Sequence, residues 1–157
     1  MAGRIMMTTA KRTEHPRVLV VEDDGAVAKV LRLSLRRGGF DTAEAESGGE
    51  ALRTMERSTF EAVVLDLCLP DGLGGAVLQQ LQGVLPGGHP VWVVMSALDE
   101  DEAIRRFGPL QGPFLAKPFD PRELMDTLTG LLSDASSHPG RLKAESRPPA
   151  GPDRKRA

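Results

Sequence analysis

Residues 18–24 read Val-Leu-Val-Val-Glu-Asp-Asp. Four apolar residues with no polar interruption fit a strand buried on both faces, because a strand with one wet face alternates instead. Such a strand needs neighbours. Ala62-Val63-Val64-Leu65, closed by Asp66, and Val91-Trp92-Val93-Val94-Met95, closed by Ser96, repeat the pattern. Phe114-Leu115-Ala116 is a shorter version ending at Lys117, and Phe40 to Ala45 is a weaker candidate.

Between these runs the periodicity becomes helical. Val27, Val30, Leu31, Ser34 and Leu35 keep helical spacing up to Gly38-Gly39. Ser47-Gly48-Gly49-Glu50 is a capping box that opens a helix with Ala51, Leu52 and Met55 inward. After a turn at Pro70-Asp71-Gly72, Val77, Leu78, Leu81 and Leu85 form a stripe. Asp99 to Phe107 predicts a short helix whose opening acids match the helix dipole. Asp120-Pro121-Arg122-Glu123 supplies a cap, a proline at the first helical position and an acid, followed by Leu124, Leu128, Leu131 and Leu132. Five strands alternating with five helices predict an α/β, doubly wound (βα)5 domain, its strands parallel and its crossovers right-handed.

The formal net charge of −2, from 20 basic and 22 acidic residues, conceals a division along the chain. Residues 1–16 read as a flexible N-terminal tail of net +2, and 133–157 as a disordered, basic, Pro-rich C-terminal tail of net +3. Residues 17–132 form the domain, with 11 basic and 18 acidic residues and a net charge of −7. That charge disfavours direct nucleic-acid binding by the domain. The basic tail reads as a solvated run. No apolar run reaches the roughly 20 residues needed to cross a bilayer, so no membrane insertion is expected. Ile5-Met6-Met7 is too short an apolar cluster for a signal peptide, and Cys68, the single cysteine, permits no internal disulfide. A cytoplasmic protein is the expectation.

Parallel sheets of this type bind ligands at the carboxyl ends of their strands. Here those ends carry Glu22-Asp23-Asp24, Asp66, Ser96 and Lys117-Pro118. Carboxylates gathered at one edge repel, and a hard cation such as Mg²⁺ relieves the repulsion. Lys117 adds a positive charge and Ser96 a hydroxyl, a set suited to a tetrahedral anion on Asp66. Any one of these residues alone would read as a cap or turn residue. Their joint placement points to a site. His15, His89 and His138 fall in tails or a loop and suggest no metal ligand. Cys68, with no second cysteine or adjacent histidine, reads as structural rather than nucleophilic.

The stretches VLVVEDD, VVLDLCLPDGLGG, VWVVMSA and FLAKPFD resemble, in order and spacing, the receiver domain of two-component response regulators over residues 17–132. The resemblance implies a flavodoxin-like sheet of order 2-1-3-4-5. It implies that Asp66 is the phospho-acceptor, and that Glu22, Asp23, Asp66 and the Cys68 backbone carbonyl hold Mg²⁺. Ser96 would be the switch hydroxyl and Lys117 the lysine that pairs with a phosphoryl oxygen. Phe114 would be the aromatic whose rotamer follows the switch, and Lys117–Pro118 a cis peptide. Phosphorylation of Asp66 would come from a sensor histidine kinase or a histidine phosphotransfer protein.

Three departures stand out. Phe114 lacks the hydroxyl of the commoner tyrosine. Phe107 to Pro113 replaces the usual Gly-Ala-rich connection, and Pro109 should keep the fourth helix short, giving an unusual face suited to a dedicated partner. Cys68 and Leu98, two residues beyond Asp66 and Ser96, are apolar where the family regulates water access to the acyl phosphate, which predicts slow spontaneous dephosphorylation.

The leading expectation is a phosphorylation-dependent signalling switch. It acts through protein–protein contacts on an unknown downstream target, with no DNA-binding output domain in the 25 tail residues. The alternatives are a phosphorylation-independent interaction module and a phosphorelay intermediate. An enzyme is not expected beyond catalysis of its own phosphorylation and dephosphorylation. An aspartate-nucleophile phosphatase would want an acid at Cys68, a flavin-binding relative would want a phosphate loop after the first strand, and no P-loop is present.

Overall fold

The computed structural model describes residues 15–83, 90–110 and 112–137. Ten elements alternate along it. They are β1 (Arg17–Val21), α1 (Gly25–Arg37), β2 (Asp41–Ala45), α2 (Gly48–Arg57) and β3 (Ala62–Asp66). Then come α3 (Gly74–Gln82), β4 (Val91–Ser96), α4 (Glu100–Phe107), β5 (Phe114–Ala116) and α5 (Pro121–Ser137). The strands form one parallel sheet in the order β2-β1-β3-β4-β5, as the resemblance implied.

Two apolar layers sandwich the sheet. Alternate strand residues Val18, Val20, Val64, Val93 and Met95 meet Leu31 and Leu35 of α1 and Leu124 and Leu128 of α5. Their neighbours Leu19, Val21, Val63, Leu65 and Val94 meet Ala51 of α2, Val77, Leu78 and Leu81 of α3 and Ala103 of α4. The central strands are apolar throughout because each of their faces carries its own helical layer. Val30 departs from the expected stripe. The buried positions of α1 are Ala28, Leu31 and Leu35, which leaves Val30 51% exposed on the opposite side.

Ser47 and Asp99 cap α2 and α4 as local chemistry dictates, with one variation in the expected box. Ser47 Oγ accepts from the Glu50 amide at 3.2 Å, but Glu50 Oε2 accepts from the Glu46 amide rather than completing the box at Ser47. Asp99 Oδ1 accepts from Glu102 at 2.7 Å, and α4 stops after eight residues at Gly108, which has φ +86° and precedes Pro109. The short α4 was expected from that proline.

Both tail boundaries shift. The Pro16 carbonyl accepts from the Asp41 amide at 2.9 Å, so the docked chain begins before Arg17. At the other end α5 runs through Ser137 rather than ending at Leu132. No proline intervenes before Pro139, Ala135 packs against the α1–α5 layer, and Ser136 and Ser137 bond back to the carbonyls of Leu132 and Ser133. The expectations for residues 1–14, Leu85, His89, His138 and the tail beyond it lie outside the described residues. Among the described residues no helix is long and apolar enough to cross a membrane.

Candidate functional site

The parallel ladder continues for one rung past several strand ends, and these rungs position the site. The Glu22 amide donates to the Ala45 carbonyl (3.0 Å), Leu67 to Met95 (3.1 Å) and Lys117 to Ser96 (2.8 Å). Glu22, the residue after Asp66, and Lys117 are thus held by backbone bonds. The Lys117–Pro118 peptide is cis, as expected.

Three carboxylates converge there. Oxygens of Glu22, Asp23 and Asp66 lie within 4.8 Å of one another. Glu22 and Asp66 are 2% and 3% exposed, whereas Asp23 faces solvent. Asp24, the third acid of the run, is diverted: its Oδ1 caps α1 by accepting from Ala26 (2.9 Å) and Val27 (3.2 Å). Lys117 Nζ bridges the two buried acids, donating to Glu22 Oε2 at 2.5 Å and to Asp66 Oδ2 at 2.8 Å. The other oxygens are also engaged. Glu22 Oε1 accepts from the Asp24 amide at 3.1 Å, and Asp66 Oδ1 accepts from the Cys68 amide at 2.9 Å.

The electrostatics follow from this crowding. Burial pushes the Glu22 carboxyl above its usual value, and the Asp66 charge adds to that, against the opposing bonds from Lys117 and Asp24. Burial acts to lower Lys117, but its bonds to Asp66 and Glu22 outweigh burial and hold it above the usual lysine value. One ammonium thus faces three acids. The donors are all hard oxygens, and Asp23 leaves one side open to water. This set fits Mg²⁺, which prefers carboxylates and keeps several waters.

Ser96 is fully buried at the end of β4. Its Oγ accepts from the Leu98 amide at 3.1 Å and lies 3.5 Å from Cys68 Sγ. Cys68 therefore joins Asp66, through its amide, to Ser96, through its thiol. Phe114 opens β5 opposite Val94 and packs, half-buried, against the layer under α2, α3 and α4. It lies two strand positions before the Ser96–Ala116 pair.

Sequence reasoning missed two features. It assigned Cys68 only a carbonyl, whereas the amide and thiol are also engaged. It read Asp71 as a turn residue, yet the Asp71 carboxylate accepts from the amides of Gly48 (3.3 Å), Gly49 (2.9 Å) and Leu73 (3.2 Å). No spacing rule signals an acid that caps a helix more than 20 residues away. The only available signal was the pair of glycines opening α2, which leaves room for a foreign side chain.

The response regulator receiver domain model matches residues 18–129. The chain is 30% identical to the DNA-binding response regulator MtrA of Mycobacterium tuberculosis over 130 residues, 83% of this chain and 56% of that protein. It is 35% identical to the transcriptional regulatory protein PrrA of the same organism, over 74% of this chain and 50% of that protein. The chain thus spans about half the length of the curated relatives it matches. Among solved structures, a sensor protein from Polaromonas sp. JS666 superposes with a TM-score of 0.67 at 31% identity, covering 76% of this chain and 97% of that one. The sheet order, the acidic cluster and these matches agree: the chain belongs to the response regulator receiver domain family of two-component signalling.

Proposed function

We propose that Asp66 accepts a phosphoryl group and that the chain works as a phosphorylation-dependent switch. The donor would be a phosphohistidine on a sensor histidine kinase or a histidine phosphotransfer protein. The observation that carries this reading is the environment of Asp66. It is a nearly buried carboxylate that receives a lysine ammonium at 2.8 Å and a backbone amide at 2.9 Å, with two further acids alongside.

An Asp66 oxygen attacks phosphorus in line with the donor nitrogen. The P–N bond breaks, a P–O bond forms, and the imidazole leaves with the bonding electron pair and takes a proton from solvent. Glu22, Asp23, Asp66 and the Cys68 carbonyl would hold Mg²⁺, which when bound neutralises charge on the transferred group. Lys117 must release one of its two carboxylates to reach a phosphoryl oxygen, a short rotation on a flexible stem. Charge stabilisation of this kind supplies much of the rate in phosphoryl transfer.

The acyl phosphate brings negative charge and new acceptor oxygens to a site where Ser96 is held by Leu98 and Cys68. Turning the Ser96 hydroxyl toward the phosphoryl group frees the Leu98 amide and loosens the β4–α4 connection. Phe114 follows, and the face formed by α4, β5 and α5 changes as a population shift between two states. Output would pass through that face to a protein partner. The domain's net charge of −7 argues against the domain itself contacting nucleic acid. We assign no enzymatic role beyond self-phosphorylation and self-dephosphorylation.

The test is incubation with Mg²⁺ and either acetyl phosphate or beryllofluoride, following Trp92 emission and protein phosphorylation. Trp92 is half-buried on β4, four residues before Ser96. A saturable Mg²⁺-dependent change that Asp66→Asn abolishes is expected. An unresponsive wild-type protein would overturn the reading.

A further inference from the structure

Asp71 lies outside the carboxylate cluster. It lies in the loop between β3 and α3, five residues beyond Asp66 and three beyond Cys68. It is exposed, yet its two carboxylate oxygens accept three backbone amides. Two of those belong to Gly48 and Gly49, the first residues of α2. The third, Leu73, belongs to the loop itself.

The opening of α2 is therefore capped from two places. A helix start leaves its first amides without partners in the helix. Ser47 takes the third, on Glu50, and Asp71 takes the first two. The helix cannot complete this cap alone, and the loop cannot move without uncapping the helix. The surfaces are also in close contact. A Cβ on Gly48 would come within 2.5 Å of the Leu73 Cβ, and one on Gly74 would strike the Leu67 carbonyl. The Gly49 amide bond holds the Asp71 carboxyl below the usual aspartate range, with the Leu73 and Gly48 amides assisting. The clamp is thus charged across the neutral range.

The segment fixed in this way runs from Asp66 to Leu73 and includes Cys68. We infer that Asp71 is a positioning residue: by anchoring the β3–α3 loop to α2 it holds the Cys68 backbone against Asp66 and so sets the affinity of the acidic site for Mg²⁺. This inference rests on the proposed role of Asp66 and its neighbours. It adds that the α2 terminus is part of the support for that site.

The controls come from the same cap. Ser47→Ala removes the Glu50 bond and weakens α2 at the same end without touching the loop. Asp71→Ala removes both the cap and the anchor. Asp71→Asn keeps one acceptor and loses the charge. Two readouts apply: Mg²⁺ titration by Trp92 fluorescence, and metal-free hydrogen exchange at the Cys68 and Leu73 amides.

Asp71→Ala is expected to weaken Mg²⁺ binding roughly tenfold, as loss of a supporting partner commonly does. It should also speed exchange at both amides by a similar factor. Asp71→Asn should fall between, and it serves if the alanine variant does not fold. Ser47→Ala should bind Mg²⁺ like wild type. Wild-type affinity in both Asp71 variants would overturn the inference, and so would an equal loss in Ser47→Ala, which would make the effect one of helix stability. A wild-type protein that ignores Mg²⁺ would overturn the parent reading and this inference with it. A responsive wild type alongside unchanged Asp71 variants would overturn the inference alone.

Discussion

Lys117 Nζ lies 2.8 Å from Asp66 Oδ2 and joins residues 51 apart in the chain. The contact also reaches Glu22, 95 residues away, so one side chain ties β1, β3 and β5 together at their carboxyl ends. It supplies the positive charge that permits two carboxylates to be buried side by side. Charged groups are almost never buried without such a partner. In the proposed switch, a phosphoryl group on Asp66 would offer Lys117 a stronger partner than either acid.

Lys117→Ala should therefore destabilise the fold in a pH-dependent way. Breaking a buried pair costs several kcal/mol, and partial exposure of Lys117 brings the expected loss to about 1–3 kcal/mol at neutral pH. Without the ammonium, the Glu22 carboxyl rises further above its unfolded value of 4.5. A raised carboxyl favours the folded state at low pH, so the deficit should shrink as pH falls from neutral toward that value. Wild-type Lys117 stays protonated throughout, since its own value is raised. Urea denaturation of both proteins at neutral and mildly acidic pH checks this, and a deficit that grows on acidification would contradict it.

Asp23 and Asp24 are chemically identical neighbours with different surroundings, and their variants should separate cleanly. Asp23 belongs to the carboxylate cluster and caps nothing, so Asp23→Asn should weaken Mg²⁺ binding at least about tenfold with little change in stability. Asp24 caps α1 through two amides, so Asp24→Ala should cost about 1 kcal/mol and leave Mg²⁺ binding within about twofold. Thermal melting and Mg²⁺ titration of both variants test the division. A matched loss of metal affinity would mean that Asp24 also serves the site.

Much of this arrangement was legible because it follows period and position. Unbroken runs such as Val18–Val21 and Ala62–Leu65 mark strands covered on both faces, and alternation with helices makes those strands parallel. Parallel strands bring Glu22, Asp66, Ser96 and Lys117 to one edge whatever the details of packing. Where the outcome depended on which of several equivalent contacts forms, the sequence was silent. Val30 has helical spacing like Leu31, yet the rotation of α1 buries only one of them. Ser133 to Ser137 reads as polar tail, but Ala135 packs against the α1–α5 layer and the helix continues through Ser137. Asp71 looks like a turn residue because its partners on α2 are brought to it only by the fold.

Two glycines in helices should respond oppositely to alanine. Gly74 opens α3, buried against the Leu67 backbone, where a Cβ has no room and the obstacle is not a flexible side chain. Gly74→Ala should cost about 1–3 kcal/mol, the usual penalty of overpacking. Gly130 is exposed within α5, with nothing within 4 Å of an added Cβ. Gly130→Ala should stabilise by about 0.5–1 kcal/mol, because glycine loses more chain entropy in a helix interior. Melting temperatures that move in the same direction for both would contradict the packing around Leu67.

The lifetime of a phosphoryl group on Asp66 should follow from Cys68 and Leu98. Hydrolysis needs a water molecule placed opposite the acyl oxygen, and Asp66 is only 3% exposed. Cys68 spends its thiol beside Ser96, and Leu98 packs against the layer under α2, α3 and α4. Neither can orient a water as an amide or carboxylate would, since a thiol is a weak donor and acceptor and leucine has no polar group. Spontaneous dephosphorylation should therefore be slow, and Cys68→Asn, which adds an amide at the same position, should accelerate it severalfold. Cys68→Ala should not, because it adds no polar group; if it does, the thiol acts by excluding water through bulk rather than by failing to orient it. Labelling Asp66 with acetyl phosphate, removing the donor and following decay in the three proteins distinguishes these outcomes. A wild-type half-life of seconds would show that water reaches the acyl phosphate without help from either side chain.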